Sequence, residues 1–165
     1  MATLEAGVTA PDFTLSGRNG EEVSLAESLK KGPVVAAFFK VSCPTCQYAF
    51  PYLERIFRAY AGSPVTVVGV SQNDKQPTAA FAREYGITFP LLLDDTRAYP
   101  VSNAYGLTNV PSIFLILPGG GIELASIGWS KRDLEDLNAR LARALGKPPA
   151  QIFQPGEDVA DFKAG

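Results

Sequence analysis

The chain has 165 residues, 46% hydrophobic and 19% charged, with 15 Lys and Arg against 17 Asp and Glu, a length that suits one domain with a sizeable core. It carries two cysteines and no histidine, which excludes Ser-His-Asp triads, Cys-His proteases, imidazole general bases and a four-ligand N/S zinc site. A net charge of −2, with no basic cluster beyond Lys30-Lys31 and Lys131-Arg132, gives no footprint for nucleic acid or an anionic membrane.

Taken in chain order, residues 11–25 predict a hairpin. Phe13 and Leu15 alternate with polar neighbours, Asn19-Gly20 turns the chain, and Val23 and Leu25 resume the alternation. The continuous apolar run Val34–Phe39 predicts a strand covered on both faces. From Cys43 to about Tyr60, the spacing of Phe50, Leu53, Ile56, Phe57 and Tyr60 is helical, and Pro51 is expected to kink that helix. Residues 65–70 read as a second buried strand, and a short helix starts at Pro77 and stops at Gly86.

A third strand is expected over 89–93, then a weak helical segment over 97–105. A fourth strand covers Ser112–Leu117, and Gly119-Gly120-Gly121 turns it into a fifth at Ile122–Ile127. The last helix starts at Ser130, which can cap it while Asp133 reaches back, and it buries Leu134, Leu137, Leu141 and Leu145. From Gly146 on, the Pro- and Gly-containing tail is expected to lie on the surface or to be disordered. Alternating strands and helices with a late hairpin imply an α/β sandwich around a mixed sheet.

Cys43-Pro44-Thr45-Cys46 follows the first buried strand and opens a helix. The spacing places both sulfurs on one face of the first turn, close enough to bond with little backbone movement. Free N–H groups and the helix dipole stabilise a thiolate there, so a cysteine at such a position can titrate well below its ordinary ~8.5. Only the thiolate attacks a disulfide. Cys43, at the cap and exposed, is the expected nucleophile. Cys46, one turn inside and more buried, is the expected resolving thiol, and Pro44 suits the first helical position because it has no N–H to lose. A structural disulfide is the plainer alternative, but so short a loop contributes least to stability.

Strand, C-x-x-C, proline-containing helix, Val110-Pro111 before a strand, a Gly-rich hairpin, Gly128 and a terminal helix together resemble the thioredoxin fold. Ala10–Leu15 and the insertion around Gln72–Arg97 resemble its redoxin branch, which holds thiol-disulfide oxidoreductases and AhpC/TSA-like peroxiredoxins. The resemblance implies a mixed central sheet flanked by helices, with an N-terminal β-hairpin. It covers about residues 8–145, and the pattern along the chain reads as one domain over residues 1–146 with 147–165 as a tail. The resemblance further implies that Pro111 is cis beside the cysteines and that the Val110 backbone pairs with an extended substrate chain. The chain departs from thioredoxin in having Ser42 before the motif, Pro44-Thr45 within it, and Ala37 where a buried carboxylate is usual. Ala49 replaces another carboxylate found in some redoxins. Lys40, three residues before Cys43, points either to the site or to solvent.

These features predict a thiol-disulfide oxidoreductase with no cofactor and no metal. Its expected partners are a protein disulfide or dithiol and a thioredoxin- or glutathione-type electron donor. A thiol peroxidase is the alternative, but Pro-x-x-x-Thr-x-x-Cys is matched neither from Cys43 (Lys40 and Ala36) nor from Cys46 (Cys43 and Phe39). A non-catalytic binding module is the third. Residues 1–7 have neither a basic start nor an apolar stretch, so the sequence points to a cytoplasmic protein, although a chain trimmed of a leader would read the same; the resemblance to the redoxin branch implies an antioxidant role.

Overall fold

The computed structural model describes residues 2–165. Strands β1 (Thr14–Ser16) and β2 (Glu22–Ser24) form the expected antiparallel hairpin, with Leu15 opposite Val23. Leu25 does not continue the strand. Ser24 accepts the Glu27 N–H at 3.2 Å and caps a short helix, α1 (Leu25–Leu29), that buries Leu25. The local capping signal prevails over the alternation because it satisfies amide groups that the helix leaves free.

β3 (Val34–Phe39), β4 (Thr66–Ser71), β5 (Leu91–Leu93), β6 (Ser112–Ile116) and β7 (Ile122–Ile127) form one five-stranded sheet in the order β5-β4-β3-β6-β7. β3 pairs parallel with β4 and antiparallel with β6, so the sheet is mixed. Side chains of β3 alternate between two cores: Val35, Ala37 and Phe39 in one, Val34, Ala36 and Phe38 in the other. The first core packs under α2 (Pro44–Ala59), α3 (Lys75–Tyr85) and α5 (Lys131–Leu145). The second lies under the N-terminal hairpin, α1 and α4 (Pro100–Ala104).

Gly69 on β4 lets α2 approach the sheet. A Cβ there would lie 2.6 Å from Leu91 Cδ2 and 3.0 Å from Phe50 Cε2, too close for an unmoved core. At α5, Ser130 caps as expected, accepting the Asp133 N–H at 3.1 Å. Asp133 does not reach back, however. Its carboxylate accepts from Ser126 Oγ at 2.7 Å, tying the helix start to β7.

The segment after Gly146 lies on the surface, the first of the two alternatives its composition left open, and it is packed there rather than disordered. Ile152 is buried in the first core, and Phe153 stacks edge-on against Tyr52. Arg55 holds Glu157 through two parallel bonds of 2.8 and 2.7 Å and donates a third to Ile152 O. Trp129 Nε1 donates to Ala160 O at 2.6 Å, and β8 (Trp129–Ser130) pairs with β9 (Phe162–Lys163). Turn-rich composition marks only the absence of regular local structure; apolar and aromatic residues spaced along such a segment can still bind it to a helix face. Among the described residues no helix is long and apolar enough to cross a membrane.

Candidate active site

β3 ends at the centre of the sheet, and residues 40–42 carry the chain to α2. Asn73 Oδ1 accepts the Val41 N–H at 2.9 Å, and Gln47 Nε2 donates to Val41 O at 2.9 Å, which ties this loop down from both sides. Cys43 is the N-cap of α2. Its backbone is extended (φ −82°, ψ 115°) and its Sγ accepts the Cys46 N–H at 3.2 Å. Sulfur thus takes the place usually held by a Ser or Asp oxygen. Pro44 occupies the first turn, and Thr45 beside it is buried.

The two cysteines have unequal surroundings. Cys43 is half-buried, whereas Cys46 is fully enclosed by the first core. Burial pushes the Cys46 thiol well above its ordinary range; the hydrogen bond with Cys43 and that neighbour's charge add to the effect, against a partial opposing pull from the main chain at Lys40 and Cys46. Cys46 is therefore protonated at neutral pH. Ala37 and Ala49 lie fully buried in the same core, where a carboxylate would have offered a proton acceptor. The buried carboxylates among the described residues are Glu54 and Asp94, and both serve the scaffold. Glu54 accepts the Thr88 N–H and Arg58 Nε, each at 2.8 Å. Asp94 accepts Ser102 N–H at 2.8 Å and Ser102 Oγ at 2.7 Å, at the start of α4.

The sheet order brings the second predicted element to the first. β6 neighbours β3, so the Val110–Pro111 bond that precedes β6 arrives beside the start of α2. That bond is cis. Val110 O accepts from Cys43 Sγ at 3.5 Å across a sequence separation of 67 residues. Lys40 is exposed and lines an open cleft of about 390 Å³ together with Gln72, Tyr99, Asn109 and Val110. Sequence reasoning missed Asn109 and residues 162–165. Thr45 Oγ1 donates to Ala164 O at 2.6 Å, and Asn109 Nδ2 donates to an oxygen of Gly165 at 3.2 Å. No local signal marks such contacts, because they exist only once the tail is folded back.

Residues 6–125 match the family model for the AhpC/TSA family. Over 134 residues the chain is 34% identical to thiol-disulfide oxidoreductase ResA of Geobacillus thermodenitrificans, covering 80% of this chain and 75% of that protein. A Helicobacter pylori protein described as peroxiredoxin bcp is 32% identical over 107 residues, or 64% of this chain and 70% of that one. A crystal structure described as the thiol:disulfide interchange protein DsbE from Chlorobium tepidum superposes with a TM-score of 0.77 at 27% identity, over 87% of this chain and 100% of that chain. A family match that runs from before β1 into β7 and includes the whole cysteine motif places this chain in the AhpC/TSA family, on a thioredoxin-like fold.

Proposed function

We propose that the protein is a thiol-disulfide oxidoreductase in which Cys43 and Cys46 exchange a dithiol for a disulfide with protein or small-molecule partners. The observation that carries this reading is the pairing of a half-exposed, helix-capping Cys43 with a fully buried Cys46 one turn inside. The Cys43 thiolate attacks one sulfur of a partner disulfide, the partner's S–S bond breaks, and its leaving sulfur takes up a proton. Cys46, after losing its proton, attacks Cys43 Sγ and expels the second partner thiolate. Two electrons pass to the partner and the Cys43–Cys46 disulfide closes.

The order of these steps eases the deprotonation of Cys46. Once Cys43 is bound in a mixed disulfide it carries no charge and no S–H, so two of the influences that raise Cys46 are gone and burial alone remains. Pro44 and Thr45 hold the first turn, and Pro111 presents the Val110 main chain to an extended partner. Regeneration by a thioredoxin- or glutathione-type donor, and a reducing, antioxidant role in the cytoplasm, belong to the same proposal.

The likeness to a peroxiredoxin makes a thiol peroxidase the second reading. It is the weaker one, because the Thr45 hydroxyl is engaged with Ala164 O and Lys40 stands at the position of the expected threonine. Stopped-flow mixing of the reduced protein with a protein disulfide and with hydrogen peroxide separates the two. Fast disulfide exchange is expected, with Cys46→Ser trapping a mixed disulfide through Cys43. Near-enzymic peroxide consumption with negligible exchange, or trapping only through Cys46 in Cys43→Ser, overturns the assignment.

A further inference from the structure

Residues 162–165 run across the active-site edge rather than away from it. β9 pairs with β8, and the chain then passes Gly128 so closely that a Cβ there would stand 2.7 Å from Lys163 O. Gly128 has φ +75°, a left-handed backbone that favours glycine. Ala164 O is held by Thr45, in the middle of the cysteine motif, and Gly165 by Asn109. Gly165 itself abuts Val110 O, where an added Cβ would come within 2.6 Å. The segment thus spans from Thr45 to Val110, which is the edge that the proposed mechanism offers to a partner's extended chain.

We infer that residues 162–165 are an intramolecular strap that fills this edge in place of a partner polypeptide, and that Thr45 and Asn109 are the donors that read the main chain of whichever segment lies there. The inference rests on the oxidoreductase reading above and adds its gate. Both donors address main-chain oxygens of the strap, so neither contact depends on which side chains the occupant carries. A partner chain in the same path could take them over without matching sequence, as main-chain recognition along an exposed edge allows.

The strap is also held lightly. Residues 161–165 are all exposed, Phe162 remains 64% accessible, and Lys163 Nζ rests 4.9 Å above the Tyr48 ring. A segment with so little buried apolar surface opens at low cost, and occupancy by the strap lowers partner affinity in proportion to the fraction of time the edge is closed. Cys43 itself stays half-exposed, so small thiols and disulfides reach it past a closed strap while an extended polypeptide does not.

The test compares the full chain with a variant ending at Asp161 and with Gly165→Ala, which drives a Cβ against Val110 O and dislodges the last residue without shortening the chain. Turnover is read with insulin and with oxidised glutathione. Labelling of Cys43 is read with iodoacetamide and with a maleimide coupled to an unfolded polypeptide. The truncation is expected to raise insulin turnover and polypeptide labelling about tenfold, the factor set by losing roughly two net hydrogen bonds, Gly165→Ala about threefold because only the Asn109 bond is lost, and both to leave the small reagents within about twofold. An equal rise for large and small reagents, no change, or a fall with insulin overturns the strap. If neither chain reduces insulin while the labelling ratio still shifts, the oxidoreductase reading fails and the strap stands.

Discussion

In the reduced protein, stability is expected to fall with pH from about 8.5 upward, and Cys46 is the group responsible. In the unfolded chain this thiol titrates near its ordinary ~8.5, whereas in the folded protein burial keeps it protonated well beyond that. Above pH ~8.5 the unfolded state therefore binds fewer protons than the folded state, and the sign of the linkage is a loss of stability with rising pH. The contribution is fully present below the unfolded value and drains away through the alkaline range. At pH 9.5, one unit above the unfolded value, the loss amounts to about 1.4 kcal/mol. For a domain of this size that lowers Tm by roughly 3–6 °C.

Tyr52, pushed up to about 12 chiefly by burial, and Tyr105, raised by the same cause, contribute only nearer pH 10. Cys46→Ala isolates the effect. Its cavity cost does not vary with pH, and it removes the thiol's share of the slope. The assay is urea or thermal unfolding at pH 7.0 and 9.5 with a phosphine reductant, for the parent chain and the variant. If the two lose the same stability between these conditions, Cys46 is not the shielded thiol described.

Two further outcomes follow from the packing that supports the site. Gly69→Ala should cost about 1–3 kcal/mol by overpacking β4 against Phe50 and Leu91, and because Phe50 belongs to α2 it should also slow labelling of Cys43; an unchanged Tm in denaturation scans contradicts this. Arg55→Ala removes both bonds to Glu157 and the one to Ile152 O, so limited proteolysis should cut within residues 147–165 faster than in the parent. Equal cutting rates show that the apolar contacts of Ile152 and Phe153 suffice to hold the segment.

The parts of the site legible in the sequence are those encoded over a few residues. The run Val34–Phe39 is apolar throughout because both its faces are covered, and Cys43 caps α2 because a polarisable side chain, a proline and a helical stripe stand in that order. Boundaries shifted where two local codes competed, as at Leu25, where Ser24 capped a helix in place of a longer strand. Asp133 was legible as a helix-start residue, but its partner Ser126 lies on another element. The surface course of the tail was legible but its attachment was not, because packing on α2 and β8 leaves no periodic trace in a segment without regular structure.

The sequence by itself determined the helix-start dithiol, the buried strand that delivers it and the absence of histidine. These are consequences of residue type and near-neighbour spacing. Tertiary structure alone decided what surrounds the sulfurs. The burial that holds the proton on Cys46 comes from several elements at once. The approach of Val110 to Cys43 follows from β6 lying next to β3, and the return of residues 162–165 over Thr45 and Asn109 follows from β9 joining β8. Each is a contact between segments far apart in the chain, whose energy is gained only after the intervening chain has folded.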